Sequence, residues 1–358
     1  MKEFVLGSFI RTSLILISST AILTISIGLS LAWLIAQYQF PLRGFLKWAL
    51  ILPLSIPPFI GAYTYHGIVN YTGVIQTTLR DQFDMVLNPA HFDIMNLPGA
   101  IFIYTMFLYP YVYTITRVFL SQQSASLIES ARMLGKGPWR TFFQVVIPIS
   151  RVSIIGGVSL VVLEVLNDYG VVKYFGIQTF TTAIFQTWFG LGDIESSIKL
   201  AASLMGFVIF ILVIEKVLRG RRQYSYSTTK VRPLPLIRLK GWKAGLATTY
   251  GLVIMSLGFF IPIAQLIDWM ILTYGTIPMD EFLTYVKNSV LVAGISATAI
   301  IVFALIVGNF GRLVQGKISK LFPKLSILGY SIPGAVIAVA VVTAFISLDR
   351  FLVPLYRM

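Results

Sequence analysis

The chain has 358 residues, of which 56% are hydrophobic and 12% charged, with a mean hydropathy of +0.82; this excludes an ordinary soluble globule and leaves a polytopic membrane protein. A formal net charge of +14 would suit a nucleic-acid binder if the cations shared one domain, but they sit in short loops between apolar runs, the positive-inside pattern. Zero Cys excludes disulfides, thiolate metal sites and cysteine nucleophiles, and the two His, His66 and His91, leave no histidine-rich metal site.

In chain order, about eight stretches reach or approach the length that crosses a bilayer. The first, Ser13 to Ala36, would make a helix of about 36 Å, longer than a signal core. The second, Phe45 to Tyr65, is broken by Pro53, Pro57 and Pro58, which predicts a kink or unwound backbone near its outer end. The third, Pro98 to Leu120, carries Tyr109, Tyr111 and Tyr113, read as an aromatic interface belt in preference to a metal site.

Ser126 to Pro148 then forms a polar, basic interlude too short and too charged to span. Ser126 followed by Glu129 reads as a capping box, and Leu127, Ile128, Ala131 and Leu134 recur at helical spacing. Gly135 offers the left-handed turn that ends a helix, and Gly137-Pro138 starts another, with Trp139, Phe142, Phe143 and Val146 on one face. Two short helices at a tight angle form a knob that lies on lipid headgroups or fits a groove on a partner.

The fourth span, Val152 to Val172, holds Glu164, costly inside an apolar helix, with Asp168 one helical turn later and Tyr169 beside it. Their oxygens would guide a hard cation; alternatively, Glu164 hydrogen-bonds within the bundle and Asp168 begins the turn at Gly170. The fifth, Leu200 to Leu218, ends on Glu215 and Lys216, which must snorkel. A basic linker over 219–245 follows, and then Leu246 to Leu272, Ser289 to Phe310 and Leu325 to Ile346.

Arg219, Arg221, Arg222, Lys230, Arg232, Arg238, Lys240 and Lys243 place the linker on the cytoplasmic side. The interlude, with Lys136, Arg140 and Arg151, lies two spans away and shares that side. Asp81, Asp84, Asp93, Asp193, Glu195, Asp280 and Glu281 fall in the opposite loops. Aligning Ser13 with Ser289 superposes Ser55-Ile56-Pro57 on Ser331-Ile332-Pro333 without a gap, which predicts an internal repeat. The expected domains are a first repeat over 1–218, the linker over 219–245 and an incomplete second repeat over 246–358, with one helix expected to be missing before the first copy and the second copy ending before a second such loop.

Glu129-Ser130-Ala131, Gly135, Val145, Ile147 and Pro148 resemble the EAA loop of ATP-binding-cassette importer permeases, with Ser130 where the family usually has Ala. Phe40-Pro41-Leu42-Arg43, Leu52 to Pro58, Leu108 to Tyr113 and Asn167 to Gly176 resemble the fused permeases of ferric-iron importers, and the likeness covers nearly the whole chain. The resemblance implies an all-α, polytopic fold of the type-1 importer permeases in the bacterial inner membrane. It also implies that Glu129, Ser130, Ala131, Gly135, Val145, Ile147 and Pro148 couple to a cassette ATPase subunit, and that a substrate-binding protein delivers ferric iron from outside. The chain has no phosphate-cradling loop, no nucleophile beside a base and no paired histidines, so ATP is expected to be used by the partner subunit and no cofactor by this chain. Glu164, Asp168 and Tyr169 are the candidate pathway residues, and no nucleic-acid partner is expected. A thiamine, phosphonate or other small-solute permease, and an ATP-independent carrier or channel, remain the competing readings.

Overall fold

A computed structural model describes residues 2–85, 88, 92–122, 129–131, 133–219, 236–314, 316 and 332–356. Two compact units divide the chain: Met1–Gln265 together with Gly334–Met358, and Leu266–Pro333. The larger unit is a helical bundle built on α1 (Lys2–Gln37), α5 (Leu97–Ser121) and α6 (Pro138–Asn167). Around these lie α2 (Arg43–Ala49), α3 (Pro58–Val69), α4 (Val74–Phe83), α7 (Gly170–Tyr174), α8 (Phe180–Phe185), α9 (Ile194–Arg219) and α10 (Trp242–Met255).

The bundle centre is α5, and α1 and α6 approach it at backbone distance. A Cβ on Gly28 of α1 would stand 2.8 Å from Val112 Cβ and 2.9 Å from the Tyr113 nitrogen, and one on Gly157 of α6 would stand 2.8 Å from Val112 Cα. Lipid tails are as apolar as leucine, so helices in a bilayer associate through such close packing rather than through a hydrophobic drive. Tyr104, Tyr109 and Tyr113 are completely buried in this centre, and the Tyr113 hydroxyl donates to the Lys47 carbonyl at 2.9 Å. The expected aromatic belt at the membrane interface is therefore corrected for two of its three members: Tyr109 and Tyr113 are core side chains on the faces of α5 covered by protein, while Tyr111 is half-buried.

Among the described residues five helices are long and apolar enough to cross a membrane: Gly7–Gln37, Pro138–Asn167, Ile194–Val217, Trp242–Thr276 and Met279–Leu313. A sixth candidate is the pair Arg43–Ser55 and Pro58–Phe83, bent by 92° where Pro57 and Pro58 interrupt the backbone. This is fewer than the expected eight. Helix α5 has 25 residues, but its tyrosines, threonines and Pro110 lower its apolarity, and part of Leu325 to Ile346 lies outside the described residues. The fourth span is also shifted, running from Pro138 to Asn167 as one helix instead of from Val152 to Val172.

Proline is accommodated twice by the same device. A π turn over Phe142–Val146 precedes Ile147-Pro148, and another over Ser256–Phe260 precedes Ile261-Pro262 in the helix Ile261–Thr273, α11. In each, the isoleucine amide donates to the fifth residue back, Phe142 or Ser256, so the proline ring meets a widened turn. Pro262 has no N–H for the Leu257 carbonyl, and the Tyr65 hydroxyl donates to it instead. Gly258 of the same turn packs against Pro53 and the Met106 carbonyl, which lacks its usual donor because residue 110 is proline.

The only strands among the described residues are β1 (Tyr38–Gln39) and β2 (Ile237–Arg238), a parallel pair with Tyr38 opposite Ile237. They tie the end of α1 to the chain just before α10, and the hydrogen bond between Ser30 Oγ and the Tyr250 hydroxyl at 2.6 Å joins α1 to α10 itself. In the smaller unit α12 (Met279–Leu313) has no buried residue. At the interval that aligns Ser13 with Ser289, the last residue of α1, Gln37, coincides with the last of α12, Leu313. The first residue of α3, Pro58, coincides in the same way with that of α13 (Gly334–Tyr356). Ala335 and Val339 of α13 are buried in the larger unit, where α13 packs on α9.

Gly28→Ala and Gly157→Ala should each destabilise the purified protein by about 1–3 kcal/mol, because the new Cβ meets backbone atoms of α5. Gly206→Ala in α9, where nothing lies within 4 Å, should be neutral or gain up to about 1 kcal/mol from helix propensity. Thermal unfolding in detergent reads the difference in sign.

Candidate functional site

The bundle carries two candidate sites at its opposite ends. At the first, Glu129, Ser130, Ala131 and Met133 are helical, while Ser126, Leu127, Ile128 and Arg132 lie outside the described residues, and the expected capping box with them. The helix ends as Gly135 predicts: its φ is +76°, and the Lys136 amide donates to the Ala131 carbonyl at 3.1 Å while that of Leu134 donates to Ser130 at 3.0 Å. No atom lies within 4 Å of a Cβ built on Gly135, so its requirement is the left-handed backbone and not space. Gly137 then precedes Pro138, the first residue of α6, as expected.

The turn is anchored on its inner side. Ala131 is 6% exposed, Thr141 and Val146 are buried, and the Phe142 ring packs against Trp33 at 6.0 Å. Met133, Leu134, Trp139 and Phe143 are 89, 79, 77 and 58% exposed, with the Trp139 and Phe143 rings stacked at 6.3 Å. The single apolar face expected for Trp139, Phe142, Phe143 and Val146 is thus divided, two side chains facing in and two out. The extra residue of the π turn is the reason, since it breaks helical spacing at Phe142. The predicted second short helix is also corrected, for Pro138 to Thr141 is the first turn of the 30-residue α6. Of the remaining predicted residues, Glu129, Val145 and Ile147 are half-buried, and Ser130 and Pro148 are exposed. The turn thus presents an exposed apolar tip that is continuous with a long helix, the kind of patch that marks an interaction surface.

At the other end α6 stops at Asn167, and Asp168 is extended, with φ −70° and ψ 132°. Asp168 is therefore not one more residue along the helix face of Glu164; its amide donates to the Glu164 carbonyl at 2.9 Å and its side chain turns to α7. Asp168 Oδ2 accepts from the Tyr104 hydroxyl at 2.7 Å and from the Val171 amide at 2.8 Å, and the Thr181 hydroxyl donates to its carbonyl at 3.0 Å. One carboxylate thus pins the start of α7 to the middle of the bundle. Glu164, half-buried, accepts from the Tyr111 hydroxyl at 3.4 Å, and the Tyr169 ring leans on Phe185 at 4.5 Å. The three predicted pathway residues lie at one end, and no group of three or more His, Asp or Glu side chains gathers there or elsewhere among the described residues.

Sequence reasoning did not single out Tyr104, Thr181 or the pairing of His66 with Tyr174. His66 Nδ1 lies 2.7 Å from the Tyr174 hydroxyl, and the rings of Phe59 and Tyr63 surround Tyr174 at 5.9 Å each. The one available signal was the recurrence of Phe59, Tyr63 and His66 at helical spacing on α3.

A family model described as binding-protein-dependent transport system inner membrane component matches residues 24–221, a window that holds both sites. The Fe(3+)-transport system permease protein FbpB 2 of Haemophilus influenzae is 28% identical over 343 residues, 94% of this chain and 63% of that protein. The molybdenum transport system permease protein ModB of Escherichia coli is 29% identical over 155 residues, 43% of this chain and 65% of that protein. A probable sulfate transport system permease protein, cysT of Marchantia polymorpha, is 28% identical over 171 residues, 48% of this chain and 56% of the relative. The chain spans less than two thirds of the length of each.

Tyr104→Phe should cost about 1–3 kcal/mol in thermal unfolding, because it leaves a largely enclosed carboxylate short of a donor. Tyr111→Phe, which removes a hydrogen bond of 3.4 Å, should cost less.

Proposed function

The chain belongs to the family of binding-protein-dependent transport system inner membrane components, and from that membership we propose that it is the ferric-iron permease of an ATP-binding-cassette importer. It is a multi-pass membrane transport protein. The observation that carries the ferric reading is extent: the Fe(3+)-transport relative aligns along 94% of this chain, whereas the molybdenum and sulfate relatives align along 43% and 48%. The carboxylates and phenols at the Asp168 end support it, since hard cations prefer oxygen donors. A second reading, an oxyanion permease, is favoured by ModB, whose identity over its shorter match is 29%.

In this proposal the Gly135 end faces the cytoplasm, as the basic residues Lys136, Arg140 and Arg151 suggest, and docks on a separate cassette ATPase. Glu129, Ser130, Ala131, Gly135, Val145, Ile147 and Pro148 form the docking turn and its root in α6. A substrate-binding protein delivers the cation at the opposite end, past Glu164, Asp168 and Tyr169. Segments 1–218 and 246–358 act as two repeats of one plan, joined by the basic segment 219–245. The mechanical argument is direct: α6 is unbroken from the docking turn to Asn167, so displacement of the turn reaches the end where Asp168 holds α7.

Vesicles holding the chain, its ATPase and its binding protein should take up radiolabelled ferric iron only with ATP inside. Gly135→Asp should abolish uptake while the chain still inserts in the membrane, because an L side chain at a φ of +76° strains the docking turn. Molybdate uptake in place of iron, or uptake driven by an ion gradient without ATP, would overturn the proposal.

A further inference from the structure

We propose that His66 and Tyr174, with Tyr63, form a receiving site for a hard trivalent cation at the Asp168 end of the larger unit. The proposal rests on the ferric reading given above. Tyr63 and His66 stand three residues apart on α3 and so share a face, and Tyr174 closes on them from α7. His66 Nδ1 and the Tyr174 oxygen are 2.7 Å apart. A metal that takes imidazole nitrogen at roughly 2.0–2.1 Å holds two donors at right angles about 2.9 Å apart, so the pair already has nearly the span of a chelating edge. The Tyr63 ring lies 5.9 Å from that of Tyr174 at an angle of 56°, so a second tyrosine ring borders the pair.

The pair is held from behind. The amide of Val171, in the first turn of α7, donates to Asp168, and α7 ends on Gly176 at φ +68°, with Ile177 donating to the Val172 carbonyl at 2.8 Å. A Cβ on Gly170 would meet Phe59 Cβ at 2.9 Å, so α7 is pressed directly on α3. The rim is nonetheless open: Tyr63 is 50% and Phe59 41% exposed, and His66 and Tyr174 are half-buried. Phenolate oxygen is a hard donor and imidazole suits iron, so the set matches a ferric ion better than a soft or larger cation. On binding, both phenols release their protons to water, and the positions this chain leaves unfilled take water or the carrier's oxygens.

The test is titration of the purified full chain in nanodiscs with ferric citrate, followed by the visible phenolate-to-iron charge-transfer band. The band should form in the unaltered chain and strengthen as pH rises. It should be lost in Tyr174→Phe and weakened in Tyr63→Phe, a change that keeps the ring, with the unfolding temperature of each variant measured beside the band. Tyr71→Phe, at an exposed tyrosine outside the site, should leave it unchanged. No band, or a band that survives both Tyr63→Phe and Tyr174→Phe, would overturn the site. Iron uptake by the same preparations separates the two claims: uptake without a band removes the site and keeps the ferric reading. Molybdate uptake with a persistent band removes the ferric reading and, with it, the receiving role.

Discussion

The close approach of α1 and α6 to α5 is the constraint on which the rest of the bundle depends. Gly28 and Gly157 flank Val112 from two sides, so three helices meet where only glycine leaves room for backbone against backbone. With the middle fixed, the two ends become geometrically linked. Tyr104 on one side of this contact holds Asp168, and Tyr113 on the other reaches the Lys47 carbonyl. A helix that is rich in tyrosine is poorly suited to lipid, yet well suited to a centre that must satisfy polar groups within protein.

Backbone satisfaction explains two other features. A proline inside a membrane helix costs a donor and crowds the preceding turn, and both Pro148 and Pro262 are met by a π turn. The carbonyl released at Leu257 is taken by Tyr65 from α3, so a local defect becomes a cross-link within the bundle. At Pro148 the same widening turns Trp139 and Phe143 outward while Phe142 and Val146 stay in the core. The exposed apolar tip and the strength of its root thus arise from one irregularity.

The two sites differ in how far they could be read beforehand. At the Gly135 turn the informative residues are neighbours in the chain: Gly135 for the left-handed turn, Gly137-Pro138 for the next helix start. Local chemistry was enough for the turn itself, while the division of the apolar face and the continuity of the second helix with α6 escaped it. At the opposite end the partners are distant in the chain. Tyr104 and Asp168 are 64 residues apart, and His66 and Tyr174 are 108 apart. No periodicity connects them, and nothing local to Asp168 reveals that its carboxylate also holds the start of α7.

By itself the amino-acid order determined the class of the protein, the existence of its long helices and the turn at Gly135. These follow from composition, apolar length and residues whose backbone preferences are local. Only the tertiary structure decided that Tyr109 and Tyr113 are core and not interface, that α6 is continuous from Pro138 to Asn167, and that Asp168 serves two helices. Such outcomes depend on which surfaces face protein and which face lipid, a difference that hydropathy cannot register because both surroundings are apolar.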